Sequence, residues 1–341
     1  MDMTPRERIE ALLAGKPADR VPFCPAIYEH KAALIKTTPS RIARMVDDLE
    51  DALAREYLTY EPDMLTVGVD VYDVEAEALG CAVSFPETSD VPSIVTRVLS
   101  PGDDLARLRV PDPGSAGRMP VFLEAGGRVH VRIGPKMIVR GALSAPFSMA
   151  CELVGAEAIL TALLDAPDWV SDLLAFTAEV SKAYGRAFAG RGLGVILFDS
   201  HAAPPLLSPA LYRKFVLPAT AEVVRYFRDE LKVSLVPYIV GGDTAVLLDA
   251  FLETGANNLL CDFKADLAVF VERLRGTGVL LRANLDPRLI LAGPPAAIKA
   301  RVRDILEIGL RHPGFLLGTG ILPYETPPAH VVAVREALEE A

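Results

Sequence analysis

Eight short apolar runs, separated by stretches with helical periodicity, constrain the fold of this chain more than any other sequence feature. The runs are residues 21–27, 64–69, 137–143, 195–198, 233–238, 258–261, 279–284 and 314–317. Each is apolar almost throughout rather than alternating, which is typical of parallel strands that are buried on both faces. Eight such strand–helix units predict the α/β class and a closed (β/α)8 TIM-type barrel.

The stretches between the runs carry clear helix signals. Thr4 and Glu7 have the spacing of a capping box, and Pro5 stands at the first helical position. Residues 209–229 and 297–310 place their apolar side chains on one helical face, which predicts burial against the barrel. These signals support a helical layer around the strands.

One region, residues 81–133, interrupts the alternation of strands and helices. It carries prolines at 86, 92, 101, 111 and 113, and short alternating pieces at 93–99 and 128–133. We interpret it as an insertion after the second strand, partly a hairpin, that covers the mouth of the barrel; a plain surface excursion is the alternative. We expect residues 1–341 to form a single barrel domain with this insertion.

The charge balance excludes some classes of partner. The chain has 35 Lys and Arg residues against 45 Asp and Glu residues, a formal charge of −10. This argues against binding of nucleic acid or of an anionic membrane surface, both of which need a basic face. The N-terminus lacks the apolar stretch of a signal peptide, and the four cysteines are far apart. We therefore expect a cytoplasmic protein with reduced thiols.

In a barrel, chemistry takes place where the strands end, at their carboxyl side. The candidate catalytic residues at these ends are Asp70, Glu29, His30 and Glu152. The candidate substrate-binding residues are Tyr72, Ser200, His201, Tyr238, Asn284 and Thr319.

Carboxylates dominate these strand ends. Crowded carboxylates raise one another's pKa, which suits general acid catalysis, and they also suit a cationic ligand or a divalent metal. The alternative is that many of them are helix N-caps. His30 and His201, with Glu29 and Asp70, form a possible transition-metal set, although no tight ligand spacing supports it. The glycine-rich segments 241–243 and 318–320 are interpreted as tight turns, because no Lys or Arg accompanies them to bind phosphate.

Several segments resemble the uroporphyrinogen decarboxylase superfamily, which includes cobalamin-linked methyltransferases. Residues 3–8 and 19–22 are similar to the methyltransferase branch, and residues 198–202 with 212–218 are similar to the decarboxylase. Residues 284–287 and 317–320 also match family motifs. The resemblance covers nearly the whole chain and implies a (β/α)8 barrel. A homodimer with facing barrel mouths is implied by the family decarboxylase.

The resemblance carries over residue by residue only in part. Asp70 matches the decarboxylase aspartate that holds pyrrole N–H groups, and Ser200 matches its substrate-contacting serine. The substrate-binding arginines of the decarboxylase fall near Ile27 and Lys31, its tyrosine falls at Glu152, and its histidine falls at Thr319. The zinc-binding His-x-Cys pair and later cysteine of the methyltransferases fall at residues 238–240 and near 321, which hold no such ligands.

Three hypotheses follow. The first is methyl transfer from a small donor to a corrinoid protein, with Glu29, His30, Asp70 or Glu152 supplying a proton or binding a divalent metal. The second is decarboxylation of a porphyrinogen or related pyrrole acid. The third is a corrinoid or tetrapyrrole binding protein without turnover. Because the predicted mouth is rich in acids, we expect its ligand to be neutral, positively charged or bridged by an ion.

Overall fold

Eight parallel strands form one sheet that curves back toward its own first strand. The structure is a computed structural model that describes residues 3–340. The strands of this sheet are β1 Phe23–Ala26, β2 Met64–Val67, β5 Ile138–Ser144, β6 Gly194–Phe198, β7 Pro237–Ile239, β8 Asn258–Cys261, β9 Leu280–Leu285 and β10 Phe315–Ile321. All eight predicted strands are confirmed, although β7 begins later than expected.

The order of the strands is that of a (β/α)8 barrel, as predicted. It runs β1-β10-β9-β8-β7-β6-β5-β2. The two end strands are brought together by a hydrogen bond of 2.8 Å from Asp63 N to Phe23 O. Beyond β1, the buried Lys31 ammonium donates to the carbonyls of Thr66 and Gly68 at 2.9 and 3.1 Å. Lys31 therefore closes the barrel and is not available to bind a ligand.

The helices surround the sheet. They are α1 Pro5–Leu13, α2 His30–Leu34, α3 Pro39–Ile42, α4 Val46–Tyr60, α5 Asp73–Ala78, α6 Met119–Ile133, α7 Pro146–Val154, α8 Ala156–Asp165, α9 Pro167–Ala189, α10 Pro209–Leu211, α11 Leu217–Arg225, α12 Leu248–Glu253, α13 Leu267–Arg273, α14 Pro287–Ala292, α15 Pro295–Gly309 and α16 Pro328–Glu339. The predicted capping box at Thr4 and Glu7 is confirmed. The predicted helix 209–229 is present, but with two π-helical turns, Tyr212–Val216 and Tyr226–Glu230.

The region predicted as an insertion contains a short antiparallel hairpin, β3 Ala82–Ser84 and β4 Ser93–Thr96. The prediction of a hairpin piece at residues 128–133 is wrong, because these residues belong to α6. Phe122, Leu123 and Val129 form one buried face of that helix, and this spacing outweighs the local alternation. The sequence 318–320 is not a turn either, since it lies within β10.

Two arginines lie inside the barrel, where TIM-type barrels normally carry branched apolar residues. Arg140 on β5 and Arg282 on β9 are each 3% exposed. Among residues 3–340, no carboxylate lies within 4.0 Å of either guanidinium group. The barrel interior therefore holds two positive charges, whereas the sequence predicted only an acidic mouth.

No helix among the described residues is both long and apolar enough to cross a membrane by itself. Helices α7 and α8 are long and apolar enough only when they are taken together, and the chain bends by 105° at their junction.

Candidate active site

Two adjoining cavities open at the carboxyl ends of the barrel strands. The first, which we call the barrel cavity, has a volume of about 430 Å³, and the second, the hairpin cavity, of about 410 Å³. They share Tyr28, Val71, Tyr72 and Ile321 in their walls. A larger groove of about 650 Å³ lies along α8, but its walls come mainly from the helical layer. We place the candidate site in the two joined cavities, because barrel chemistry takes place at strand ends.

The barrel cavity brings together three of the predicted substrate-binding residues. Tyr72 Oη donates to Ser200 Oγ at 2.7 Å and accepts from Ser200 N at 3.1 Å, so the two side chains position each other. Asn284 Oδ1 accepts from Arg282 Nε at 3.1 Å. Asp262, which the prediction did not include, also lines this cavity and accepts from Gly242 N at 2.8 Å.

The hairpin cavity brings together three of the four predicted catalytic residues. Glu29, Asp70 and Glu152 line it, together with two further ionisable residues, Asp73 and Arg97. The β4 side of the hairpin forms part of its wall. The acids of the mouth are therefore clustered, as the sequence predicted, but cations lie among them.

Asp70 is not a free carboxylate. The guanidinium of Arg118, just before α6, binds both of its oxygens, at 3.0 and 2.6 Å, and also donates to Glu77. Both residues of the pair are almost fully buried. Burial alone would lower the pKa of Arg118, but Asp70 and Glu77 outweigh it and raise that pKa. Asp70 therefore has its charge balanced from within the chain, and no free Asp70 carboxylate faces a ligand.

Asp73 lacks such a partner. It begins α5, is 8% exposed, and its carboxyl group makes no hydrogen bond to any residue between 3 and 340. Burial, reinforced by the negative charges of Asp70 and Glu152, raises the pKa of Asp73 to about 8. A pKa of about 8 allows Asp73 to act as a proton donor near neutral pH, and its side chain lines the hairpin cavity.

Burial also shifts the pKa of Glu29 and Glu152 in the hairpin cavity and of His201, which lines neither cavity. Burial raises the pKa of Glu29 to about 7. Burial also raises the pKa of Glu152 and lowers the pKa of His201, whose Nε2 lies 3.6 Å from Glu152 Oε1. His201 packs edge-on against the Tyr72 ring, with centroids 5.8 Å apart. Burial therefore raises the pKa of all four carboxyl groups that line the hairpin cavity, those of Glu29, Asp70, Asp73 and Glu152.

His30 and Thr319 lie outside the two cavities. His30 is fully buried, and its two nitrogens contact Tyr324 O at 3.1 Å and Tyr60 Oη at 2.6 Å. Thr319 Oγ1 accepts from Ala26 N at 3.0 Å and so joins β10 to β1. Because their polar atoms already have protein partners, we assign neither residue a role toward a ligand.

Tyr238 also faces away from the cavities. Side chains alternate along β7, so Ile239 lines the barrel cavity and Tyr238 points into the helical layer. There Tyr238 Oη donates to Asp199 Oδ2 at 2.7 Å and accepts from Tyr212 Oη at 3.1 Å. The prediction that Tyr238 orients a ligand is therefore wrong, because it applied the strand-end rule without the alternation.

Sequence reasoning missed several charged residues of the site. Arg282 had a usable signal, because a charged residue inside the apolar run 279–284 needs a special reason to be buried. Lys264 and Asp73 follow strands, but their sequence positions do not distinguish them from the other polar residues there. Arg97 and Arg118 come from the segment between β2 and β5, and nothing in their local sequence indicates where they lie.

The side chains do not fit the zinc site that the resemblance implied for methyltransferases. Among residues 3–340 no group of three or more His, Cys, Asp or Glu side chains is arranged to hold a metal ion. The cysteines are buried free thiols, and burial raises the pKa of Cys24 and of Cys261 to about 12. Because zinc binds thiolates, we derive no step through a zinc ion.

Comparisons with known proteins agree on one family. The family model described as Uroporphyrinogen decarboxylase (URO-D) matches residues 4–341. The methylcobamide:CoM methyltransferase MtbA of Methanosarcina acetivorans is 26% identical over 344 residues, covering 98% of this chain and 97% of that protein. A uroporphyrinogen decarboxylase of Paraburkholderia xenovorans is 31% identical over 276 residues, covering 75% and 71%. A solved methyltransferase from Methanosarcina mazei has the same fold, with a TM-score of 0.88, 24% identity and 99% coverage of both chains.

Proposed function

The chain belongs to the uroporphyrinogen decarboxylase family of enzymes, and from this membership we propose that it transfers a methyl group from a small donor to a corrinoid acceptor. Relatives that align over nearly the full length of the chain are named methylcobamide:CoM methyltransferases, which supports the corrinoid link. In this proposal the corrinoid is a second substrate, carried by a partner protein.

The observation that carries the proposal is the buried carboxyl group of Asp73, which lines the hairpin cavity without a hydrogen-bond partner among residues 3–340 and whose pKa burial raises to about 8. For a methyl ether, the carbon–oxygen bond of the donor breaks, and the methyl carbon passes to the electron pair of the reduced corrinoid. The departing oxygen must then take up a proton. Asp73 supplies this proton, with Glu29 as the second acid of the same cavity.

Decarboxylation of a pyrrole-derived acid is the weaker candidate. It would use Asp70 as the carboxylate that stabilises the pyrrole N–H groups and Ser200 as a substrate contact. Arg118, however, binds both oxygens of Asp70 and balances its charge. Release of carbon dioxide from porphyrinogen substrates, lost in the Asp70→Asn variant, would favour this candidate over methyl transfer.

The proposal is tested with chemically reduced cobalamin as the methyl acceptor. Purified protein is mixed with cob(I)alamin and a panel of methyl ethers and quaternary amines, and methylation of the cobalamin is followed by its absorbance. We expect transfer from at least one ether. If folded protein transfers no methyl group from any donor, while a relative of known activity does so in the same assay, the proposal is wrong.

The proposed proton transfer also predicts a specific pH dependence. Since Asp73 and Glu29, with pKa values of about 8 and about 7, must be protonated to act, kcat/KM for an ether donor should be highest at acidic pH. It should fall as the pH rises through these two values. A quaternary amine donor leaves as a neutral amine and needs no proton, so its profile should stay flat over the same range. Equal profiles for both donors would contradict the assignment of the acids.

A further inference from the structure

The barrel cavity contains a buried guanidinium group, that of Arg282, with no carboxylate within 4.0 Å among residues 3–340. Arg282 is 3% exposed and lines this cavity. Its nitrogens donate only to neutral oxygens, Asn284 Oδ1 and Thr319 O, each at 3.1 Å. Burying a cation without a counter-charge is unfavourable, and such residues in proteins are normally paired. The unpaired charge of Arg282 therefore indicates that an anion belongs beside it.

A second buried arginine increases the need for an anion. Arg140 donates to Thr66 Oγ1 at 3.1 Å and, like Arg282, has no acidic partner among the described residues. Burial, with a smaller contribution from the charge of Arg282, lowers the pKa of Arg140 to about 10. The two guanidinium groups thus repel each other within the barrel.

The structure makes room for the guanidinium group of Arg282. A Cβ atom at Gly318 would lie 2.3 Å from Arg282 Nε and 2.9 Å from Asn284 Oδ1. Only glycine at this position of β10 therefore allows the Arg282–Asn284 contact without a shift of the chain. The same Cβ atom would also lie 2.6 Å from Cys24 O, so the close approach of β1 requires glycine here as well.

Two further donors face the same cavity. Because Asn284 Oδ1 accepts from Arg282, its Nδ2 group remains available as a donor. The hydroxyl of Tyr28, which also lines the cavity, has no hydrogen-bond partner among residues 3–340. Burial raises the pKa of Tyr28 to about 12, so this hydroxyl keeps its proton. A guanidinium, an amide and a phenol therefore border one cavity as donors.

We propose that Arg282, Asn284 and Tyr28 bind a carboxylate group of the substrate within the barrel cavity. Resting on the proposed function, this identifies the methyl donor as a methyl ether of a carboxylic acid. It replaces the expectation from the sequence that the ligand is neutral, positively charged or bridged by an ion.

A single negative charge and an apolar body fit this cavity better than a phosphate. Asp262 directly follows β8, the strand next to β9, and is 7% exposed in the cavity wall. Its negative charge repels a dianion more strongly than a monoanion. Besides Arg282 and Asp262, the wall contains one further charged residue, Lys264, which is exposed. Much of the remaining wall is apolar, formed by Ala26, Val71, Phe198, Ile239 and Leu260. An aryl ring next to the carboxylate would pack against these side chains.

The test measures binding without any methyl transfer. Isothermal calorimetry compares 4-methoxybenzoate with 4-methoxybenzamide, which has the same shape but no charge. We expect the benzoate to bind at least about 10-fold more tightly, because charge-assisted hydrogen bonds are the stronger ones. Arg282→Met should weaken benzoate binding by about 10- to 100-fold, and Arg282→Lys by less, since the charge stays but the fork is lost.

The Tyr28→Phe variant tests the same site with a smaller risk of unfolding the protein. It removes one hydroxyl group, and we expect about 3- to 10-fold weaker binding of the benzoate and no change for the benzamide. Tyr57→Phe, on α4 and outside both cavities, is the matched control and should bind like the native protein. Equal affinity for the two probes, or native binding by folded Arg282→Lys and Tyr28→Phe variants, would overturn the carboxylate site.

The outcome is separable from that of the proposed function. Benzoate binding that depends on Arg282, in a protein that transfers no methyl group to cob(I)alamin, would keep the carboxylate site and overturn methyl transfer. Methyl transfer from 4-methoxybenzoate that is as fast in the Tyr28→Phe and Arg282→Lys variants as in the native protein would keep the function and overturn the carboxylate site.

Discussion

The Asp73→Asn variant is expected to transfer methyl groups from an ether donor about 10²- to 10⁴-fold more slowly than the native enzyme, the range typical for loss of a general acid. Asparagine has nearly the shape of aspartic acid but has no proton to give. Since the Asp73 carboxyl makes no hydrogen bond to the described residues, its replacement breaks no contact that holds the cavity together. The measurement is kcat/KM with cob(I)alamin as acceptor.

The choice of donor separates proton donation from a general disturbance of the site. A quaternary amine donor should lose little rate in Asp73→Asn, because its leaving group departs without a proton. Among ethers, those with more acidic leaving alcohols should be less affected. Glu307→Gln, an exposed acid on α15, is the matched control and should change neither rate. A similar loss for ethers and amines in Asp73→Asn would assign Asp73 a positioning role instead.

The fold could be predicted because its main signals are local. Parallel strands buried on both faces need continuous apolar runs, and the eight runs identified the eight strands. The hairpin prediction for residues 128–133 is wrong because a short local pattern is misleading there. Its six residues alternate, and the helical period becomes clear only when Phe122 and Leu123 on the same helix are included.

The charge pairing in the candidate site could not be predicted, because it depends on contacts between residues that are distant in the sequence. Asp70 was correctly predicted to lie at the mouth, but its partner Arg118 is 48 residues away, across the hairpin. His30 follows β1 as directly as Glu29 does, yet only Glu29 lines a cavity, because helical geometry turns adjacent residues to different sides. Strand-end position therefore identifies a region, whereas the charge state of each acid follows from packing.

The buried pair of Asp70 and Arg118 gives the largest expected effect on stability. Arg118→Met should lower the free energy of unfolding by about 3–5 kcal/mol at neutral pH, because it leaves the Asp70 charge buried without a partner. The side chain of Glu77, the other partner of Arg118, is 22% exposed and can be solvated instead. Denaturant unfolding of the native and variant proteins measures the difference.

The loss in Arg118→Met should depend on pH. Burial already raises the pKa of Asp70, and Arg118 opposes this, so removal of the arginine raises the folded-state pKa further above the unfolded value of about 3.9. The folded variant then binds a proton more readily than the unfolded chain. Its stability deficit should therefore be smallest at acidic pH and grow as the pH rises through the raised pKa of Asp70.

Removing both partners tests whether the effect comes from the pair. Asp70→Asn combined with Arg118→Met leaves no buried charge at this position and should recover much of the stability lost by Arg118→Met alone. Arg128→Met, which removes an exposed arginine of the same helix α6, should leave stability nearly unchanged. If the double variant is as unstable as Arg118→Met at every pH, the loss comes from packing against Phe85 rather than from the unpaired Asp70 charge, because the guanidinium carbon lies 4.9 Å from the centroid of that ring.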